Sequence, residues 1–313
     1  MYLFSFSDED KILSETDLSK TIIKKSSYAI LVFSNYKIYM INTNTGELLY
    51  NSDDKLFYDE PEYISLTYTY GNSVDNFYFY IFIAYIDDYN YLQIKKYKYF
   101  KDDQSIILQD YYSLNSVGRT IDSLSIQNKG LSCDNLVDYA DNTISYLTCF
   151  VIVSDDSEDY LIPIIFDDQS TSISNVEDDY EMDYINVNGN KQIKSDTNIY
   201  MDIDYVCYVT EANIATCYKF FLDSYLIEGY FESSSKKIFT KNCRADIYGM
   251  KVNYIFETND IVFSCSDSDG SLQAYIFDET NNYLKYENCD NIYGFSIIYL
   301  TDLNNYYIIS DVN

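Results

Sequence analysis

The chain has 313 residues, and 50 Asp and Glu against 21 Lys and Arg give it a net charge of −29. That charge repels nucleic-acid backbones and anionic lipid surfaces, so neither is expected as a partner. Histidine is absent, which removes Ser-His-Asp and Cys-His nucleophiles, histidine metal sites and the usual neutral-pH proton shuttle.

With 38 Tyr and 18 Phe beside abundant Ile and Val, apolar runs of about four to ten residues dominate. Only 2 Pro occur and long 3.6-residue stripes are missing, so the expected class is all-β. In chain order, 21–60 holds "YAILVF", "KIYMI", "NTNTG" and "ELLYN", which read as an outer hairpin. Residues 63–115 give four strands, "YISLTYTY", "FYFYIFIAYI", "YLQIKKYKYF" and "SIILQDYY". In 120–195, "ISYLTCFVIV" and "YLIPIIF" flank the acidic hairpin "SDDSED", and "NVEDDYEMDYINVNGN" reads as an inserted loop or extra hairpin. Four strands return in 197–243 and again in 247–289, and 292–313 offers two, "FSIIYL" and "YYIISD". No run approaches the ~20 apolar residues of a membrane-spanning helix. The start, "MYLFSFSDEDKI", lacks the basic and long apolar parts of a signal peptide, so a secreted form is expected to be a mature segment.

The stretch "NCRADIYG" ending at Gly249 returns as "NCDNIYG" ending at Gly294, about 45 residues later. Four short antiparallel strands repeating every ~40–50 residues are the sign of a β-propeller, one unit per blade. The expected fold is therefore a single β-propeller domain over 1–313 with six four-stranded antiparallel blades: 21–60, 63–115, 120–195, 197–243, 247–289, and 292–313 completed by 1–20. Joining both ends of the chain in one blade would cover strand edges that otherwise stand open. A seventh blade would require 120–195 to hold two. A pair of β-sandwiches accounts for the short strands but not for the repeated motif.

The 7 cysteines record the compartment. Cys207 and Cys217 flank the turn "TEAN", and Cys133 and Cys149 flank "DYADNT", so each pair is expected to face across neighbouring strands as a disulfide. Cys243 and Cys265 form a third expected pair, leaving Cys289 without a partner in this sequence. Such bridges imply an extracellular position, secreted or at the cell surface; buried free thiols are the alternative. No asparagine begins an Asn-X-Ser/Thr sequon.

Nothing in the sequence marks a reaction. The 9 glycines form no phosphate-cradling loop, and with Arg119 and Arg244 as its arginines the chain lacks a three-arginine sialidase site. The run Asp267-Ser268-Asp269-Gly270 is a partial Ca2+ loop, but Cys265 and Ile276 stand where the first and closing carboxylates belong, so it reads as a hairpin turn. "VEDDYEMDY" in 176–184 reads as a solvated acidic loop. No cofactor is expected, Ca2+ being the weak exception. Carboxylates alone could still serve a glycoside hydrolase or lyase, which is the second reading. Exposed Tyr among Asp, Asn and Ser makes an adaptable contact surface, and the first reading is a non-catalytic protein-binding module. A structural repeat of an extracellular filament or coat is the third.

The Tyr-, Asp-, Asn- and Ser-rich texture, the spaced single cysteines and the "C-x(2,3)-IYG" element, mainly over 207–313, resemble repeat modules of anaerobic-fungal cellulosome scaffoldins. The resemblance implies a secreted module with neighbouring modules in a longer chain, cohesin-like in role, that binds dockerin domains of plant-cell-wall enzymes. It would also account for Cys289, whose partner would then lie in another module.

Overall fold

A computed structural model describes the chain from residue 22 to residue 310, apart from short segments between its strands, of which 138–144 and 232–238 are the longest. From residue 239 onward it describes the strands and their pairing, and the burial of Val262.

The protein is all-β, built on the blade plan of a β-propeller: six sheets follow one another along the described chain, each made largely from strands adjacent in sequence. The first contains β1 (Ile22–Lys25), β2 (Ala29–Ser34), β3 (Lys37–Asn42) and β4 (Leu48–Asn51). The second contains β5 (Ile64–Asn72), β6 (Phe77–Ile86), β7 (Leu92–Phe100) and β8 (Ser105–Leu114). The third is built from β9 (Ser116–Gly118), β10 (Ser123–Val137), β11 (Ser145–Ser154), β12 (Asp159–Asp167) and β13 (Ser174–Asn175). Next in the chain come β14 (Glu181–Met182) and β15 (Ile185–Asn186). The fourth sheet follows with β16 (Tyr200–Asp202), β17 (Tyr205–Val209), β18 (Ile214–Asp223), β19 (Glu228–Phe231) and β20 (Phe239–Asn242). The fifth has β21 (Ile247–Ile255), β22 (Asp260–Asp267), β23 (Leu272–Phe277) and β24 (Tyr283–Cys289), and the last pairs β25 (Phe295–Leu300) with β26 (Asn305–Ser310).

Two compact units result. One joins Met1–Glu60 to Arg244–Asn313 and holds the first, fifth and last sheets. In it, Cys265 lies opposite Met250 and Gln273, and Cys289 opposite Leu272. Ser266 pairs with Leu272, and the expected turn at Ser268–Gly270 between these strands lies outside the described residues. Cys243, and hence its expected bridge to Cys265, lies outside the described residues, as do the strands expected in 1–20.

The other unit, Pro61–Cys243, holds the second, third and fourth sheets. Its middle sheet is buried on both faces, which is why β12 reads as a continuous apolar run instead of an alternating one. Val151, Val153, Ile162, Ile164 and Phe166 enter one core with Phe82, Ala84 and Ile94 of the second sheet. Phe150, Ile152, Leu161 and Ile165, at intervening positions, enter another with Tyr208, Phe220 and Leu222 of the fourth. A period of two therefore sends alternate side chains into two different cores. Pro163 sits where the outer edge of β12 lies between the pairings of β13 and β15, a position at which a missing N–H costs no ladder bond.

Strands β5 and β16, which end their sheets, run alongside β10 beyond its short pairing with β9, and side chains tie the three where backbone ladders do not. The outward N–H groups of Leu131, Cys133 and Asn135 donate to Asn198 Oδ1 (2.8 Å), Ser65 Oγ (2.8 Å) and Asp134 Oδ1 (2.9 Å). Ser65 Oγ also donates to the Cys133 carbonyl at 3.2 Å, and Thr67 Oγ1 donates to Asp134. On the other side, Met201 N donates to Ser132 Oγ at 2.8 Å. At Gly130, in a bulge between Gln127 and Leu131, a Cβ would lie 3.0 Å from the Ile199 side chain, so glycine lets β10 pass this close to its neighbour.

The register of β10 and β11 sets Cys133 opposite Cys149, and that of β17 and β18 sets Cys207 opposite Cys217; both pairs are disulfide-bonded, with Cα–Cα distances of 4.0 and 4.1 Å.

Two pairings depart from the sequence reading. The insertion after β13 is a strap: β15 pairs with β12 and β14 runs parallel to β19, fastening two sheets together. A Cβ at Gly229 would collide with Met182 Sδ of the strap and meet Phe220 of β18 at 2.7 Å, so glycine lets the strap lie close on β19. Strand β20 pairs with β18, not with β19, because the four-residue β19 covers only Phe220–Asp223 and leaves Ile214–Cys217 for β20.

Replacing Ser65 by Ala strands the buried Cys133 N–H and carbonyl together. We expect it to destabilise the Pro61–Cys243 unit by about 1–3 kcal/mol in urea unfolding, with Ser65→Thr retaining most of the stability.

Candidate functional site

Residues 65, 67 and 68 of β5 lie against residues 133, 134 and 135 of β10, so these two strands run in the same direction. Each is followed by two antiparallel strands, β6 and β7 after β5 and β11 and β12 after β10, so the hairpins β6–β7 and β11–β12 leave the unit at the same end. That end carries the candidate site, a rim of tyrosine, carboxylate and amide groups.

The first hairpin is organised by Asp87. Its Oδ1 accepts the backbone N–H groups of Tyr89 and Tyr91, both at 2.9 Å, and its Oδ2 accepts Gln93 Nε2 at 2.8 Å. This Asx arrangement, with Asn90 at φ 62°, turns the chain tightly and leaves Tyr89 82% exposed.

The second hairpin is closed by Asp155, whose Oδ1 accepts Glu158 N at 2.7 Å. Glu158 Oε2 accepts both the Tyr160 hydroxyl (2.6 Å) and Asn186 Nδ2 (2.8 Å). Asn186 is present because the strap sets it opposite Tyr160 in the β12–β15 register. Tyr184, one residue before β15, packs its ring edge-on against Tyr160 with centroids 5.3 Å apart and stays half exposed. Asp159 beside them binds Lys129 of the β10 bulge at 2.7 Å and accepts the Ser154 hydroxyl. Asn188 Oδ1 accepts the Asp159 N–H at 3.1 Å. The hydrogen bond to the Glu158 carboxylate, then the loss of solvent around the phenol and the nearby charge of Asp155, push Tyr160 well above the ordinary tyrosine range, so it is a hydrogen-bond donor at neutral pH.

The arrangement is suited to binding. Glu158 is held by the neutral donors Tyr160 and Asn186, and the ring of Tyr184 is packed against Tyr160 before a partner arrives. Asp134, on the end strand β10, is buried and spent on Thr67 and Asn135. Among the described residues, no group of three or more Cys, Asp or Glu could hold a metal ion. The expected cysteines Cys133, Cys149, Cys207 and Cys217 lie in the buried sheets, away from any exposed surface. Sequence reading placed an acidic hairpin at 154–159 but not Tyr184 and Asn186, which reach it only through the strap pairing of β15 with β12.

No family profile matches the chain, and no curated relative matches it. Several solved structures are distantly similar. The fucose-recognising lectin of Aleuria aurantia, a six-bladed β-propeller, is 10% identical with a TM-score of 0.48 over 89% of this chain and 81% of its own. The SREBP–SCAP binding domains of fission yeast are 9% identical with a TM-score of 0.44, over 94% and 78%. The lectin SapL1, solved with α-methyl fucoside, is 8% identical with a TM-score of 0.46, over 86% and 79%. At these values none of them lends this chain a ligand or a site.

Changing Glu158 to Gln removes the main cause of the raised Tyr160 pKa. Because a raised pKa favours the protonated phenol in the folded state, its contribution to stability is whole below pH ~10 and is lost as pH climbs above that value. In a carbon-13 tyrosine titration, the Tyr160 signal of the unaltered protein is expected to stay protonated past pH ~10, and that of Glu158→Gln to titrate nearer the ordinary value.

Proposed function

We propose that this protein is a non-catalytic, extracellular binding module that recognises a basic protein partner through the tyrosine–carboxylate rim. The observation that carries the reading is the preorganised group Asp155, Glu158, Tyr160, Tyr184 and Asn186, which offers fixed acceptors and a half-exposed ring at one end of the Pro61–Cys243 unit. A net charge of −29 steers a basic partner toward it and raises the encounter rate. The two disulfides support an oxidising location. In its finer form, which follows the scaffoldin resemblance, the partner is a dockerin domain on a plant-cell-wall enzyme and the module is one of several in a longer chain. Carbohydrate is the second reading, favoured by the ring of Tyr184 beside the amide of Asn186.

The test is capture from the secreted fraction of the source organism, with the folded protein and its Tyr184→Ala/Glu158→Gln variant as parallel baits. Recovery of enzymes that share one small appended domain, reduced about tenfold by the variant, supports the scaffold form. Polysaccharide capture that the variant weakens transfers the rim to the carbohydrate reading. Equal capture by both baits overturns the rim as the binding site.

A further inference from the structure

The polar groups around Tyr160 have spent their donors on one another. The Tyr160 hydroxyl is given to Glu158 Oε2, which also takes Asn186 Nδ2. Asn186 Oδ1 accepts the backbone N–H and the side-chain amide of Asn188, both at 3.1 Å, and Asn188 Oδ1 is occupied by Asp159 N. Asp159 is filled as well, by the Ser154 hydroxyl on Oδ1 and Lys129 on Oδ2. Glu158 Oε1 differs from all of these: among the described residues it accepts no hydrogen bond.

Charge is left over at the same atom. Lys129 neutralises Asp159 at 2.7 Å, whereas the donors on Glu158, Tyr160 and Asn186, are both neutral. A metal ion would need more carboxylates than this, and no group of three or more Cys, Asp or Glu among the described residues could hold one. A sugar would need donors from the protein, and the Tyr160 hydroxyl and the Asn188 amide are already committed. An organic cation needs one carboxylate and an aromatic face. Both are present: the Tyr160 and Tyr184 rings meet at 89° as the walls of a corner, and Tyr184 is 51% exposed. The single open oxygen also sorts the two basic side chains. A guanidinium fork takes both oxygens of one carboxylate, and Oε2 already holds two donors; an ammonium bonds one oxygen end-on and brings a flexible apolar stem to lie on a ring.

We infer that the rim seats one lysine side chain of the partner protein, its ammonium donating to Glu158 Oε1 and its stem lying on the Tyr184 ring. This rests on the function proposed above and narrows it, to lysine over arginine and to protein over sugar.

The probes are the blocked tripeptides Gly-Lys-Gly, Gly-Arg-Gly and Gly-norleucine-Gly, with a panel of methyl glycosides beside them. Each is titrated onto protein carrying carbon-13 tyrosine, with the Tyr160 and Tyr184 signals as the readout. The lysine peptide is expected to shift both signals and to bind about threefold or more tighter than the arginine peptide, and the uncharged norleucine peptide to shift neither. Glu158→Gln, with an otherwise unchanged spectrum, should weaken the lysine peptide about tenfold. Equal or tighter binding of the arginine peptide, lysine binding that Glu158→Gln leaves intact, or a glycoside that shifts both tyrosines where the lysine peptide does not would each overturn the lysine seat and leave the rim standing as a binding site. If no probe moves either tyrosine the lysine seat falls too, and the capture experiment with the Tyr184→Ala/Glu158→Gln bait then decides the rim separately: reduced capture keeps it, equal capture removes it.

Discussion

Neighbouring sheets in this protein cannot share a backbone ladder, yet their end strands are pressed together where water has little access, and that conflict governs the Pro61–Cys243 unit. Each N–H facing out of β10 needs a partner, because a buried, unpaired donor costs about 1–3 kcal/mol. Short polar side chains resolve it. Ser65, Ser132, Asp134 and Asn198 accept the backbone groups that a further strand would otherwise have taken. The disulfide belongs to the same arrangement: the side chain of Cys133 bonds Cys149, while its N–H and carbonyl both meet Ser65.

The rim follows from this alignment. Because the hydrogen bonds fix β5 and β10 in a common direction, the β6–β7 and β11–β12 hairpins emerge at the same end of the unit. The strap completes it by delivering Tyr184 and Asn186 through a two-residue pairing. Residues that position the site are thus more than a hundred positions apart in sequence, and no single loop holds it.

Much of the architecture was readable from residues alone. Aromatic and β-branched runs broken by Asn, Asp and Gly have local causes, so β5 to β8 and β21 to β24 can be drawn from sequence. Strand β10 was readable only around Cys133, through its expected bridge to Cys149; the rest of "SLSIQNKGLSCDNLV" is polar along the stretch whose side chains bond neighbouring sheets, and polarity there mimics a loop. The strap was hidden for another reason, since strands of two residues leave no periodic signal and owe their pairing to tertiary contact. In the site, the acidic hairpin was visible as a turn, but its chemistry depends on Asn186 and Tyr184, which only the fold brings to it.

The most direct test of the central claim is native-state hydrogen exchange at the backbone amides of Leu131, Cys133 and Met201, whose acceptors are the side chains of Asn198, Ser65 and Ser132 across the gaps between sheets. If these bonds hold the sheets together, the three amides should exchange only with global unfolding of the unit and should respond to denaturant as that unfolding does. Exchange through local opening, faster than the ladder amides of β11 and insensitive to denaturant, would contradict the account.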